Sequence, residues 1–174
     1  YGTSNGHGVV LDGKLAAVVC DTNGSTDDDL EVQFFKLNGT SWLHEATLPL
    51  PQASATYYPR KPIAISGDYA IAGFASAFDP FPVAIYHRDN GDWIQQASLQ
   101  PTSSNQYFAL SVDISGDTAV VGSPRQSGGQ AIVYRRAGDF WYLEATLMQP
   151  GDQESDYFGS AVAIDDDTIL VGSL

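Results

Sequence analysis

Apolar residues in this chain come in short runs punctuated by Gly, Asp, Asn and Ser, and residues 112–147 show the pattern most clearly. Val112-Asp113-Ile114 is an extended run closed by Ser115-Gly116-Asp117, a tight turn whose glycine tolerates positive φ. Residues 118–121 form the return strand, and Gly122-Ser123-Pro124 ends it. Residues 130–136, rich in β-branched and aromatic side chains, predict a third strand, which Ala137-Gly138-Asp139 turns into a fourth over 141–147. The pattern is that of a four-stranded antiparallel meander. The same last turn reads Asn38-Gly39 and Asn90-Gly91 earlier in the chain, a strong short-range hairpin signal.

The meander recurs. Ile65-Ser66-Gly67-Asp68-Tyr69-Ala70-Ile71-Ala72-Gly73 returns as Ile114-Ser115-Gly116-Asp117-Thr118-Ala119-Val120-Val121-Gly122, and again as Ile164-Asp165-Asp166-Asp167-Thr168-Ile169-Leu170-Val171-Gly172. From Gly73 to Gly122 to Gly172 the steps are 49 and 50 residues. Trp42, Trp93 and Trp141 keep a similar step, each six residues before a Leu. A period near 50 built from short apolar stretches predicts an all-β propeller of four-stranded antiparallel blades, because helical solenoids repeat at shorter periods and need longer amphipathic runs.

Most strand positions are apolar rather than alternating, as a sheet covered on both faces requires, and neighbouring blades would supply that cover. Phe35, Tyr86 and Tyr134 each stand seven residues before a Trp, and Tyr58, Tyr107 and Tyr157 each stand nine before the first turn. Such recurrence assigns them and the three Trp to blade-to-blade joints. Residues 1–174 read as one propeller segment, with blades over about 6–50, 57–100 and 107–149 and a half-blade over 157–174. About three and a half blades do not close a ring, which takes about four to eight. A piece of a longer chain is therefore expected, with a homo-oligomer of half-rings as the second reading. The strand types do not balance in a two-fold pair, and the opening Tyr1 also fits a processed or partial product.

Hydrophobic residues make up 43% of the chain and charged ones 17%, enough material for a core. No apolar run approaches the length of a membrane-spanning helix, so no membrane insertion is expected. The net charge of −13 argues against nucleic acid, which calls for a clustered basic surface. The lone Cys20, in the strand-like Val18-Val19-Cys20, reads as a small buried hydrophobe.

Tyr157-Phe158-Gly159-Ser160-Ala161-Val162-Ala163-Ile164, followed by Ile169-Leu170-Val171-Gly172-Ser173, resembles the FG-GAP repeat of integrin-type β-propellers, closest to the shorter variety of secreted, mostly bacterial proteins. Tyr107-Phe108-Ala109 through Gly122-Ser123-Pro124 repeats it with Ala for Gly, and Tyr58-Pro59-Arg60 through Gly73-Phe74-Ala75 departs further. The resemblance implies a blade scaffold for extracellular binding or adhesion, generally without catalysis. Integrin-type repeats often hold calcium between the first and second strands. Here that place has only Ser66-Gly67-Asp68, Ser115-Gly116-Asp117 or Asp165-Asp166-Asp167, too short to wrap an ion, so no metal or cofactor is expected. The acidic stretch from Asp21 to Asp27 alternates oxygen ligands but lacks a closing Glu.

If recurrence marks scaffold, residues that break the pattern are the better site candidates. Arg60 and Lys61 stand where Ala109 and Leu110, and Gly159 and Ser160, stand later. Asp113 stands where Val10, Ala64 and Ala163 stand, and a carboxylate in an inner strand needs a partner, for which Arg60 or Lys61 of the neighbouring blade is expected. Phe78-Asp79-Pro80-Phe81-Pro82 puts Phe78 and Phe81 in a proline-rich loop, able to stack on a sugar, seat a partner or fold back onto the blade. No nucleophile constellation is evident, since His7, His44 and His87 fall at unrelated places in their repeats. The residues thus point to a non-catalytic extracellular scaffold whose partner is a protein or surface glycan. A carbohydrate-binding propeller is the alternative, and a polysaccharide-acting enzyme rests only on abundant Asp.

Overall fold

The structure, a computed structural model of the 174-residue chain, describes residues 8–21, 30–50, 60–76, 81–101, 107–124, 129–149, 151 and 157–173. The strands are β1 (Val9–Asp12), β2 (Leu15–Asp21), β3 (Leu30–Asn38), β4 (Ser41–Pro49), β5 (Ile63–Ser66), β6 (Tyr69–Ala72), β7 (Val83–Asp89) and β8 (Asp92–Leu99). They continue with β9 (Ser111–Ser115), β10 (Thr118–Ser123), β11 (Gln130–Ala137), β12 (Phe140–Met148), β13 (Ala161–Asp165) and β14 (Thr168–Gly172). Each run of four is one antiparallel meander in chain order, and β13–β14 make a two-stranded sheet. The protein is all-β, a partial propeller of three four-stranded blades and a half-blade, and its sheets do not close a ring.

Both faces of the middle sheets are apolar because each meets a neighbour. In β6, Ala70 and Ala72 face the first blade, while Tyr69 and Ile71 face the third; β7 divides Ala84 and Tyr86 from Val83 and Ile85 in the same way. A second core forms between blades two and three, and a smaller one joins Val120 and Ala131 to Ile164 of the half-blade. A fully buried aliphatic side chain contributes about 2 kcal/mol by leaving water. The joints are therefore where the stability of the molecule lies. First strands lie against first strands, β1 on β5, β5 on β9 and β9 on β13, while β4 meets β8 and β8 meets β12 at the outside. The blades thus share an axis on the first-strand side.

Each fourth strand carries a bulge at the same place. Pairing steps from Phe34↔Ala46 to Phe35↔His44, from Ile85↔Ala97 to Tyr86↔Gln95, and from Val133↔Ala145 to Tyr134↔Leu143. The extra residue is Glu45, Gln96 or Glu144, always three after the Trp. A bulge bends its strand and re-aims the extra side chain. Glu45 is turned onto the second blade, where its Oε2 accepts from Trp93 Nε1 at 3.2 Å and its two oxygens take Arg88 Nε at 2.8 Å and Nη2 at 2.6 Å. That hydrogen-bonded fork, opposed by partial burial, holds the Glu45 carboxyl below its ordinary value and the Arg88 guanidinium above its own. At the next joint Gln96 Oε1 accepts from Trp141 Nε1 at 2.9 Å, while Arg136 stands 4.5 Å over the Tyr69 ring and pairs with Asp117.

Two further contacts recur. Tyr86 donates its hydroxyl to the Pro49 carbonyl at 2.7 Å, and Tyr134 to that of Gln100 at 3.2 Å. Burial pushes both phenols up, that of Tyr134 to about 12. Along the first turns, Gly67 N–H donates to Asp12 at 2.8 Å, Gly116 N–H to Ser66 at 3.4 Å and Asp166 N–H to Ser115 at 3.1 Å, so each turn is tied to the one before.

The three indoles differ in exposure. Trp93 is 4% exposed and stacks on Phe34 at 4.0 Å, Trp141 is half-buried, and Trp42 is 44% exposed. The difference has a positional cause: each Trp packs toward the preceding blade, and the face that carries Trp42 meets no other described sheet. Cys20, expected to be buried, is only half-buried, with Sγ 3.6 Å from a Glu31 carboxylate oxygen.

Candidate functional site

Arg60 and Lys61, two of the residues that break the repeat, lie where the first strand of their blade begins. In blade three the entry is a left-handed turn, with Tyr107 at φ 60° and Ala109 at φ 64°, closed by Leu110 N–H to the Tyr107 carbonyl at 3.1 Å. The half-blade repeats it with Tyr157 at φ 48° and Gly159 at φ 93°. Gly159 settles on blade three so closely that a Cβ on Gly122 would lie 2.1 Å from the Gly159 carbonyl oxygen. The Phe-Gly of one blade and the Gly-Ser-Pro of the blade before it are therefore two halves of one joint, which explains why they recur together.

Blade two departs from this form. Arg60 and Lys61 occupy the equivalent positions, Arg60 is not left-handed, and it pairs instead with Ala75 as an isolated antiparallel bridge. The Arg60 residue is exposed and Lys61 is 5% exposed. Both line an open cleft of about 380 Å³, completed by residues 8–9, 62–63, 110–112 and 160–162. Every blade thus contributes the start of its first strand to one mouth.

Asp113, on β9, is turned toward the half-blade. Its Oδ1 accepts from Ile114 N–H at 2.9 Å and its Oδ2 from Ile164 N–H at 2.8 Å. The expected partnership with Arg60 or Lys61 is not the one formed, because the face of β9 that carries Asp113 meets β13 rather than β5. Phe81 folds back: it packs edge-on against Phe74 at 5.4 Å and joins the core between blades one and two. Phe78 lies outside the described residues, as do His7, the stretch over 22–29 and the acidic run over 152–156. The structure therefore brings Arg60 and Lys61 together and leaves Asp113 and Phe81 in separate structural roles.

Sequence reasoning passed over the bulge residues. Their signal is the acceptor three residues after each Trp, which reads Glu45, Gln96 and Glu144. His44 hydrogen-bonds Thr47 at 2.8 Å and His87 stacks on Tyr69 at 4.4 Å, so both sit on strand surfaces among ordinary neighbours. Among the described residues no group of three or more His, Cys, Asp and Glu side chains is placed to hold a metal ion.

Residues 93–134 and 141–174 match the family model of the FG-GAP repeat. No curated protein matches the chain.

Proposed function

From an FG-GAP-type repeat protein we infer a non-catalytic binding scaffold, acting outside the cell, that offers its axial mouth to a protein or surface-glycan partner. FG-GAP repeats occur in integrin-like propeller proteins commonly involved in binding or adhesion, and typically in extracellular ones. The observation that carries the reading is how the polar side chains are used. Glu45, Gln96, Tyr86, Tyr134 and Asp113 are engaged in holding blade to blade. Arg60 is left exposed at a cleft to which every blade contributes. Repeating a joint from blade to blade while the mouth changes is the division of labour of a recognition scaffold, in which function is grafted onto a repeated frame.

The carbohydrate reading, which drew on Phe78, Phe81 and the many tyrosines, loses one support, since Phe81 packs half-buried against the core. Immobilised chain incubated with detergent-free cell-surface extract should retain a partner that Arg60→Gln no longer retains. Retention of nothing by either chain would overturn the reading, and hydrolysis of a polysaccharide panel by the purified chain would overturn its non-catalytic part.

A further inference from the structure

Resting on the scaffold reading, we propose that the axial mouth binds the carboxylate of an acidic side chain on an extended peptide of the partner, with Arg60 as the residue that takes it. The chain holds 21 acidic residues against 8 basic ones, so a guanidinium readily finds an internal carboxylate. Arg88, Arg135 and Arg136 each do. Arg60 makes no ion pair among the described residues, although its backbone is fixed by the bridge to Ala75. A guanidinium fork on a fixed base suits a carboxylate bidentately, and its attraction is felt locally even on a protein of net negative charge, because screening cuts off distant charges within about 8–10 Å.

The rest of the lining selects among anions. Val9, Ile63, Val112 and Val162 place aliphatic side chains in a lining of mixed polarity. The hydroxyls of Ser111 and Ser160 already donate to the carbonyls of Gly159 and Tyr157, at 3.0 and 2.6 Å. Among the described residues no aromatic ring lines the cleft. An acidic sugar would want a ring to stack on and several free polar partners, whereas an Asp or Glu side chain wants an aliphatic channel for its methylenes and one cationic fork at the end. Among the described residues the mouth offers the fork of Arg60 beside aliphatic side chains, which is closer to the second set.

The test is an amide-shift titration of the ¹⁵N-labelled 174-residue chain with acetyl-Gly-Glu-Gly-amide, acetyl-Gly-Gln-Gly-amide and methyl glucuronide. The Glu peptide is expected to move the amides of Ile63, Leu110, Ser111 and Ser160, to bind at least about tenfold more tightly than the Gln peptide, and to weaken with added salt. Arg60→Gln, whose backbone bridge is retained, should abolish those shifts while leaving the dispersed spectrum of a folded chain. Equal binding of the Gln peptide, shifts confined to other residues, or tighter binding of the glucuronide would each overturn the proposal. If the Glu peptide leaves the mouth unmoved while the immobilised chain still retains a surface partner, the carboxylate site falls and the scaffold reading stands. If the peptide binds and no surface partner is retained, the site stands and the scaffold reading falls.

Discussion

Glu45 in the first blade accepts the indole N–H of Trp93 in the second at 3.2 Å, and the same carboxylate takes the Arg88 guanidinium by both oxygens. A bulge residue of one sheet is thereby the anchor for two side chains of the next. Glu45→Ala removes all three bonds and leaves Arg88, 13% exposed in its side chain, without its main partner. A loss of about 2–3 kcal/mol is expected from denaturant unfolding, with Glu45→Gln, which keeps an acceptor for Trp93, losing about 1 kcal/mol. Equal stability of the alanine variant and the parent would refute the anchor.

The same pair sets a pH dependence. Hydrogen bonding to Arg88, the largest cause, holds the Glu45 carboxyl below its ordinary value of 4.5. A lowered carboxyl contributes stability that is fully present above the ordinary value and is lost as pH falls through the lowered one. The advantage of the parent over Glu45→Gln should therefore hold at about pH 6 and shrink steadily below about 4.5. Paired melts across that range check it, and an advantage that grew on acidification would contradict the assignment.

Two tryptophans at one repeat position should behave differently. Trp93→Ala empties a site stacked on Phe34 and should cost about 3–5 kcal/mol. Trp42→Ala, on a face that meets no other described sheet, should cost under about 1 kcal/mol. Fluorescence of the single variants should assign a blue-shifted emission to Trp93. Equal costs would mean that exposure does not govern this position.

Gly122→Ala puts a methyl against the Gly159 carbonyl oxygen, which belongs to rigid backbone. About 1–3 kcal/mol of overpacking strain is expected, felt first where the half-blade docks. Hydrogen exchange of β13 and β14 should accelerate more than that of β1 and β2; uniform acceleration would point to a different weak place.

Asp113→Ala leaves the Ile164 N–H without its acceptor, at a cost of about 1–3 kcal/mol, while Asp113→Asn keeps one oxygen and should lose less. The exchange rate of the Ile164 amide reads this directly. An unchanged rate in the alanine variant would show that Asp113 does not pin the half-blade.

The fold was legible because the period, the Asn-Gly turns and the twofold apolar faces all described one repeated meander, and periodicity survives without knowledge of contacts. Asp113 was legible as a carboxylate in need of a partner. Its partner was not, because sequence alone does not tell which face of an inner strand meets the preceding blade and which meets the next. Phe81 was open between exposure and burial until Phe74 was placed beside it. Glu45 and Gln96 escaped notice for another reason: a bulge looks like one more strand position until the register is known. Of the candidate site, Arg60 and Lys61 were visible as departures from a repeat, and the cleft they line became visible only once four strand starts converged.

The bulge and the indole have a consequence for how such chains change length. Each of the three complete units carries an indole donor and a Glu or Gln acceptor, and at two seams the Trp of one unit meets the acceptor of the unit before it, so a duplicated unit arrives with plug and socket already matched. Gain or loss of whole units therefore leaves each new seam with an indole on one side and its receptor on the other.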